Sequence, residues 1–171
     1  MANDDEKKNM LVFVATYDSL DAADEDYRAL LDMHKEGLVG TYDVGVVTKS
    51  KDGRIDIARH NDATGRDSRG GLAIGAVLGL IFPPSLIATA IVGAGAGSLI
   101  GHSFNKISRH DLRDLGHMIE DNQVALVVLG EVTIEDYVRK AARHAIKEYK
   151  QQFNADVADY NRQLEKALKA A

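Results

Sequence analysis

Residues 70–105 read GGLAIGAVLGLIFPPSLIATAIVGAGAGSLIGHSFN, and where this stretch is buried decides how the rest of the chain is organised. It contains no Asp, Glu, Lys or Arg, yet it holds both prolines and eight of the fifteen glycines. Gly71, Gly75 and Gly79 stand four apart, as do Gly93, Gly97 and Gly101, and Thr89 extends the second set. Residues four apart share a helix face, so each half presents a strip of nearly bare backbone along which two helices can meet closely. Pro83 and Pro84 interrupt the helix between the halves. The spacing predicts an antiparallel helical hairpin, with Leu78, Ile81, Ile91 and Val92 among the side chains turned outward, toward lipid or neighbouring molecules.

Each half is about a dozen residues long, roughly 20 Å, against a hydrocarbon core of roughly 30 Å. One half does not span a bilayer, and a single crossing would separate the elements before it from those after it. The expected hairpin therefore goes in and returns. Arg66 and Arg69 precede it and Lys106 and Arg109 follow it, which places cations at both ends for anionic headgroups. The thirteen Leu, Ile, Val and Phe side chains from Leu72 to Ile100 contribute roughly 4–8 kcal/mol on insertion. Each helical glycine costs about 1 kcal/mol relative to alanine. Insertion by one chain is marginal, whereas several chains zipped by their glycines insert favourably. The expectation is a non-enzymatic, self-associating protein made in the cytosol and bound to the inner face of a membrane, with lipid and its own copies as partners. The alternative is a soluble homo-oligomer (a shell, ring or filament) with the hairpins packed in its protein interior.

Working outward, Met10–Thr16 (MLVFVAT) reads as a buried strand. Asp18 or Ser19 can cap a helix whose Leu20, Ala23, Tyr27, Leu30, Leu31 and His34 recur at helical spacing up to Gly37. Thr41–Thr48 and Arg54–Arg59 read as strands joined by a turn at Lys51-Asp52-Gly53. Ser108 begins a capping-box pattern for a helix to about Asp121 with Leu112, Leu115 and Ile119 inward, and Gln123–Gly130 (QVALVVLG) is another buried strand. The order β-α-β-β-α-β predicts an α+β, ferredoxin-like domain over 10–131, two helices on one face of its sheet, interrupted by the hairpin 70–105. Residues 1–9 are a polar tail. Beyond Thr133, apolar residues at spacings of three or four, Tyr149 and Phe153 among them, predict a C-terminal helical extension over 132–171. If unbroken it would be roughly 50 Å long.

The 171 residues suit one domain, and the hydrophobic fraction of 45% argues against disorder. A net charge of −5 argues against nucleic acid as a partner. With no cysteine there are neither disulfides nor thiolate metal sites. No apolar stretch precedes Met10, so a cleavable signal peptide is not expected.

Arg59-His60 through Gly65, the glycine- and alanine-rich halves around Phe82-Pro83-Pro84, and the strand QVALVVLGE together resemble a widespread bacterial family of unknown function. Its members are described as membrane proteins with a glycine-zipper segment. The resemblance covers roughly residues 10–131. It implies a ferredoxin-like domain with a membrane-type hairpin, and it supplies no catalytic residues or cofactor.

Chemistry-bearing patterns are few. The glycines lack the Gly-Lys-Ser/Thr of a phosphate loop. His110, Asp114 and His117 share a helix face and could meet a metal, but a solvated polar stripe explains them as well, and no metal or cofactor is expected. His102 lies where the hairpin ends, either as a pH-sensitive group or as an interfacial polar residue. Arg139, Lys140, Arg143, His144, Lys147 and Lys150 form a basic run opposed locally only by Glu148. It reads as a solvated face, or as a contact for headgroups or for the acidic helix Asp18–Asp32 of a neighbour. No Ser, His and acid set points to nucleophilic catalysis. A small-ligand or enzymatic module of the same fold is a third, minor reading.

Overall fold

The computed structural model describes residues 7–38, 42–62, 78, 81–82, 109–121 and 123–156. Along them run β1 (Lys7–Tyr17), α1 (Leu20–Lys35), β2 (Tyr42–Lys49), β3 (Ile55–Asp62), α2 (Arg109–His117), β4 (Val124–Glu131), α3 (Glu135–Ala141) and β5 (Lys147–Asp156). A 3-10 turn, Val132–Ile134, joins β4 to α3. The strands form one antiparallel sheet in the order β3-β2-β4-β1-β5.

Local signals place the first elements. Ser19 caps α1, its Oγ accepting the Ala22 N–H at 3.2 Å. The helix gives Ala23, Tyr27 and Leu30 to the core and ends before Gly37, whose φ of +73° suits glycine. The β2–β3 turn closes at Gly53, φ +83°, which donates its N–H to the Ser50 carbonyl at 3.0 Å.

The α+β class holds, but the strand order is not the ferredoxin-like one expected. In a ferredoxin-like sheet the third strand is central; here β3 is an edge and β2 lies inside it. Side-chain polarity gives the reason. Val44, Val46 and Val47 of β2 are buried, whereas β3 carries Asp56 and Arg59, both exposed, which a central strand would have to bury at high cost. The β2–β3 register slips between Val46 and Val47, leaving Ala58 as a bulge.

Nor do the helices share one face. Leu11, Phe13, Ala15 and Tyr17 of β1, with Val124, Leu126 and Val128 of β4, pack with α1 and α3 in one cluster. Side chains alternate along a strand, so Met10, Val12, Val14 and Thr16 point to the opposite face, and they are buried too. Every residue from Val124 to Gly130 is buried, so the sheet is covered on both sides. Leu115 and Ile119, in α2 and just beyond it, are buried outside the α1–α3 cluster, as are Leu78, Ile81 and Phe82.

The expected C-terminal helix is also corrected. After a 3-10 turn α3 starts without a side-chain cap, and it stops at Ala141. The chain then turns and pairs as β5 with β1, from Lys147 opposite Thr16 to Asp156 opposite Lys7. Tyr149 and Phe153 are four apart, a spacing that satisfies a helical stripe and one face of a strand equally. Pairing with β5 satisfies the backbone groups of β1, which begins at Lys7 inside the expected tail. Residues 157–171 lie outside the described residues.

Candidate functional site

The site with most bearing on function is where the glycine-rich stretch meets α2. Leu78, Ile81 and Phe82 are buried, and Phe82 donates its N–H to the Leu78 carbonyl at 2.7 Å, the hydrogen bond of one helical turn. Opposite them stands Gly116. A Cβ there would lie 2.9 Å from the Ile81 carbonyl oxygen and 3.1 Å from both Ile81 Cγ2 and Phe82 Cε1. No other residue fits that gap without displacing backbone. Leu78 and Ile81, expected to face lipid or neighbours, are instead enclosed by their own chain.

The remaining sequence-derived positions of this segment are Gly71, Gly75, Gly79, Thr89, Gly93, Gly97, Gly101, Pro83, Pro84, Arg66, Arg69 and Lys106. All lie outside the described residues, as does His102. Arg109 opens α2, with its side chain outside the description. Gly116 was the residue the sequence reading missed. Its signal was available: glycine inside a helix costs about 1 kcal/mol against alanine, and such a residue commonly marks a close approach.

On the exposed side of α2, His110 Nδ1 lies 3.1 Å from Asp114, and His117 joins no set with them. Among the described residues no group of three His, Cys, Asp or Glu converges for a metal.

The basic run is not the unopposed face that the sequence suggests. Glu135 pairs with Arg139 at 2.9 Å and also with Lys150, which holds its carboxyl below the usual range. Arg139 reaches Glu148 at 3.5 Å and Lys147 reaches Glu120 at 3.9 Å. His144 does meet the acidic helix, but within the same chain. Asp26 of α1, 2% exposed, accepts the His144 backbone N–H at 2.8 Å and contacts its Nδ1 at 2.6 Å, while Glu25 lies 3.4 Å from Nε2. Hydrogen bonding to Asp26, then the Asp26 charge, raises the His144 pKa. Burial first, and the Asp26 carboxylate second, raise that of the Tyr17 phenol beneath them. These contacts pin α3 and the start of β5 to α1, so the run works within the fold.

The fold and this contact define a mixed α+β domain with a five-stranded antiparallel sheet covered on both faces, and part of its glycine-rich stretch seated on a helix. The chain belongs to a protein family of unknown function, DUF1269, which it matches over residues 68–169, more than half of its length. The match begins later than the resemblance over 10–131 and runs further, taking in α3, β5 and the residues after them. Neither the curated proteins nor the solved structures gave a match.

Proposed function

We propose that the protein is non-enzymatic and self-associating, and that its glycine-rich stretch packs against protein, within its own chain and between copies. The observation that carries this reading is the burial of Leu78, Ile81 and Phe82, with Ile81 and Phe82 in contact with Gly116. In a hairpin reaching into a bilayer, the residues beside Pro83-Pro84 would be the farthest from the globular domain. Here they rest on its second helix. The strips Gly71-Gly75-Gly79 and Gly93-Gly97-Gly101 give the stretch further close-packing faces for a second copy. No cofactor enters this reading, and the partner is the chain itself.

A second reading, association with the cytoplasmic face of a membrane, draws on the absence of charge across 70–105 and on the cations Arg66, Arg69, Lys106 and Arg109 at its ends. It requires the stretch to leave its seat on α2. No helix among the described residues is long and apolar enough to cross a membrane. Cell fractionation followed by detergent-free light scattering separates the two. A soluble particle of several chains supports the first reading. A membrane pellet released only by detergent supports the second, and a detergent-free monomer overturns both.

A further inference from the structure

The sheet ends in two edges, β3 and β5, and they differ. A free edge offers a row of backbone donors and acceptors that a further strand can take up, unless the chain blunts it. β3 is blunted: its pairing slips at Ala58, and the exposed Asp56 and Arg59 lie along it. β5 is ten residues long and follows β1 without a register shift. Among the described residues only β1 pairs with it. Lysines on an edge commonly repel an incoming strand, but those of β5 are drawn to acids of their own chain, Lys150 to Glu135 and Lys147 to Glu120 at 3.9 Å. Lys147, Glu148, Lys150 and Gln152 are exposed, and Tyr149 and Gln151 are half-buried, so this part of the strand is open to a partner.

A second copy of β5 is a partner that its own sequence fits. Around a two-fold axis, antiparallel strands set residues of one face opposite residues of the same face, so the axis passes through a residue. An axis at Tyr149 pairs only residues 147–151 of the strand. One at Lys150 sets two lysines against each other, and one at Gln152 sets Glu148 against Asp156. An axis at Gln151 avoids these conflicts. It pairs residues 147–155, opposes no like charges, and puts Tyr149 opposite Phe153 on both sides of the axis. Aromatic residues directly across a strand pair stabilise it, and like charges there destabilise it.

We propose that β5 pairs antiparallel with β5 of a second copy about a two-fold axis at Gln151, which runs the sheets of the two chains into one. This rests on the self-association proposed above and gives it an interface apart from the glycine strips.

The chain has no cysteine, so single introduced cysteines report the register. Directly opposed residues hold their Cβ atoms about 4.5–5.5 Å apart, close to the span of a disulfide. An axis at Gln151 leaves the two Lys150 residues, and the two Gln152 residues, roughly 7 Å out of step along the strands. Under mild oxidation Gln151→Cys forms a covalent dimer, whereas Lys150→Cys and Gln152→Cys lose that product. In ultracentrifugation Gln151→Glu and Gln151→Lys each raise the dissociation constant for self-association about two- to five-fold, and an equal mixture of the two regains the parental value. Thermal melts matching the parent establish that the variants fold. If the parent is multi-chain but Gln151→Cys crosslinks no better than its neighbours, and the charged variants associate as the parent does, the edge pairing is overturned and self-association rests on the glycine strips. Residues 157–171 of the same chain covering the edge would give that result. A parent that stays monomeric at every concentration overturns this interface together with self-association itself.

Discussion

Replacing Gly116 by alanine tests the seat directly, because two opposed effects of known sign meet at one atom. Alanine favours a helix over glycine by about 1 kcal/mol, so a free α2 is stabilised by the change. In the folded chain the new methyl carbon stands 2.9 Å from the Ile81 carbonyl oxygen and 3.1 Å from Ile81 Cγ2 and Phe82 Cε1. A side-chain tip can rotate away, but a backbone carbonyl cannot, so the Ile81–Phe82 turn or α2 itself must shift. Overpacking of this kind costs about 1–3 kcal/mol. The net expectation is a destabilisation of up to about 2 kcal/mol, or a melting temperature lower by as much as about 8 °C for a chain of this size. Urea and thermal unfolding followed by far-UV circular dichroism measure it. His117→Ala, at an exposed position one residue away, has helix propensity without the collision and should be neutral or slightly stabilising. If Gly116→Ala instead stabilises the protein by about 1 kcal/mol, helix propensity alone is acting. Ile81 and Phe82 then do not rest on α2, and the burial argument for a protein-packed stretch fails with them.

The Asp26–His144 contact predicts a pH dependence of defined sign. A raised folded pKa means that its contribution is full below the unfolded value of 6.5 and is lost as pH rises through the folded value. The melting temperature of the parent should therefore exceed that of His144→Asn most at about pH 5.5, with the gap narrowing by about pH 9. A gap that widens with pH contradicts the assignment. Ending the chain after Ile146 removes β5 and leaves β1, with its buried Leu11, Phe13 and Val14, as an unpaired edge. Loss of the cooperative melt is expected, and an unchanged melt would mean that β5 adds nothing.

What the sequence determined by itself was local or strongly periodic. Ser19 and Gly53 act within a few residues of themselves, so the helix start and the hairpin turn were legible at once. The unbroken apolar run VALVVLG marked β4, and it also held the sign that both faces of the sheet are covered, since a one-sided sheet calls for alternation. Only the tertiary structure decided matters that depend on distant partners. Tyr149 and Phe153 fit a helix or a strand until β1 offers an edge to pair with. Asp26 and His144, 118 residues apart, gain their meaning only when α1 and the loop before β5 come together. Gly116 gains its role only because Ile81 and Phe82 lie against it. The physical reason is common to all three. A residue pattern fixes which side chains must leave water, but the surface that receives them is chosen by packing between segments far apart in the chain, and a single local period does not encode that choice.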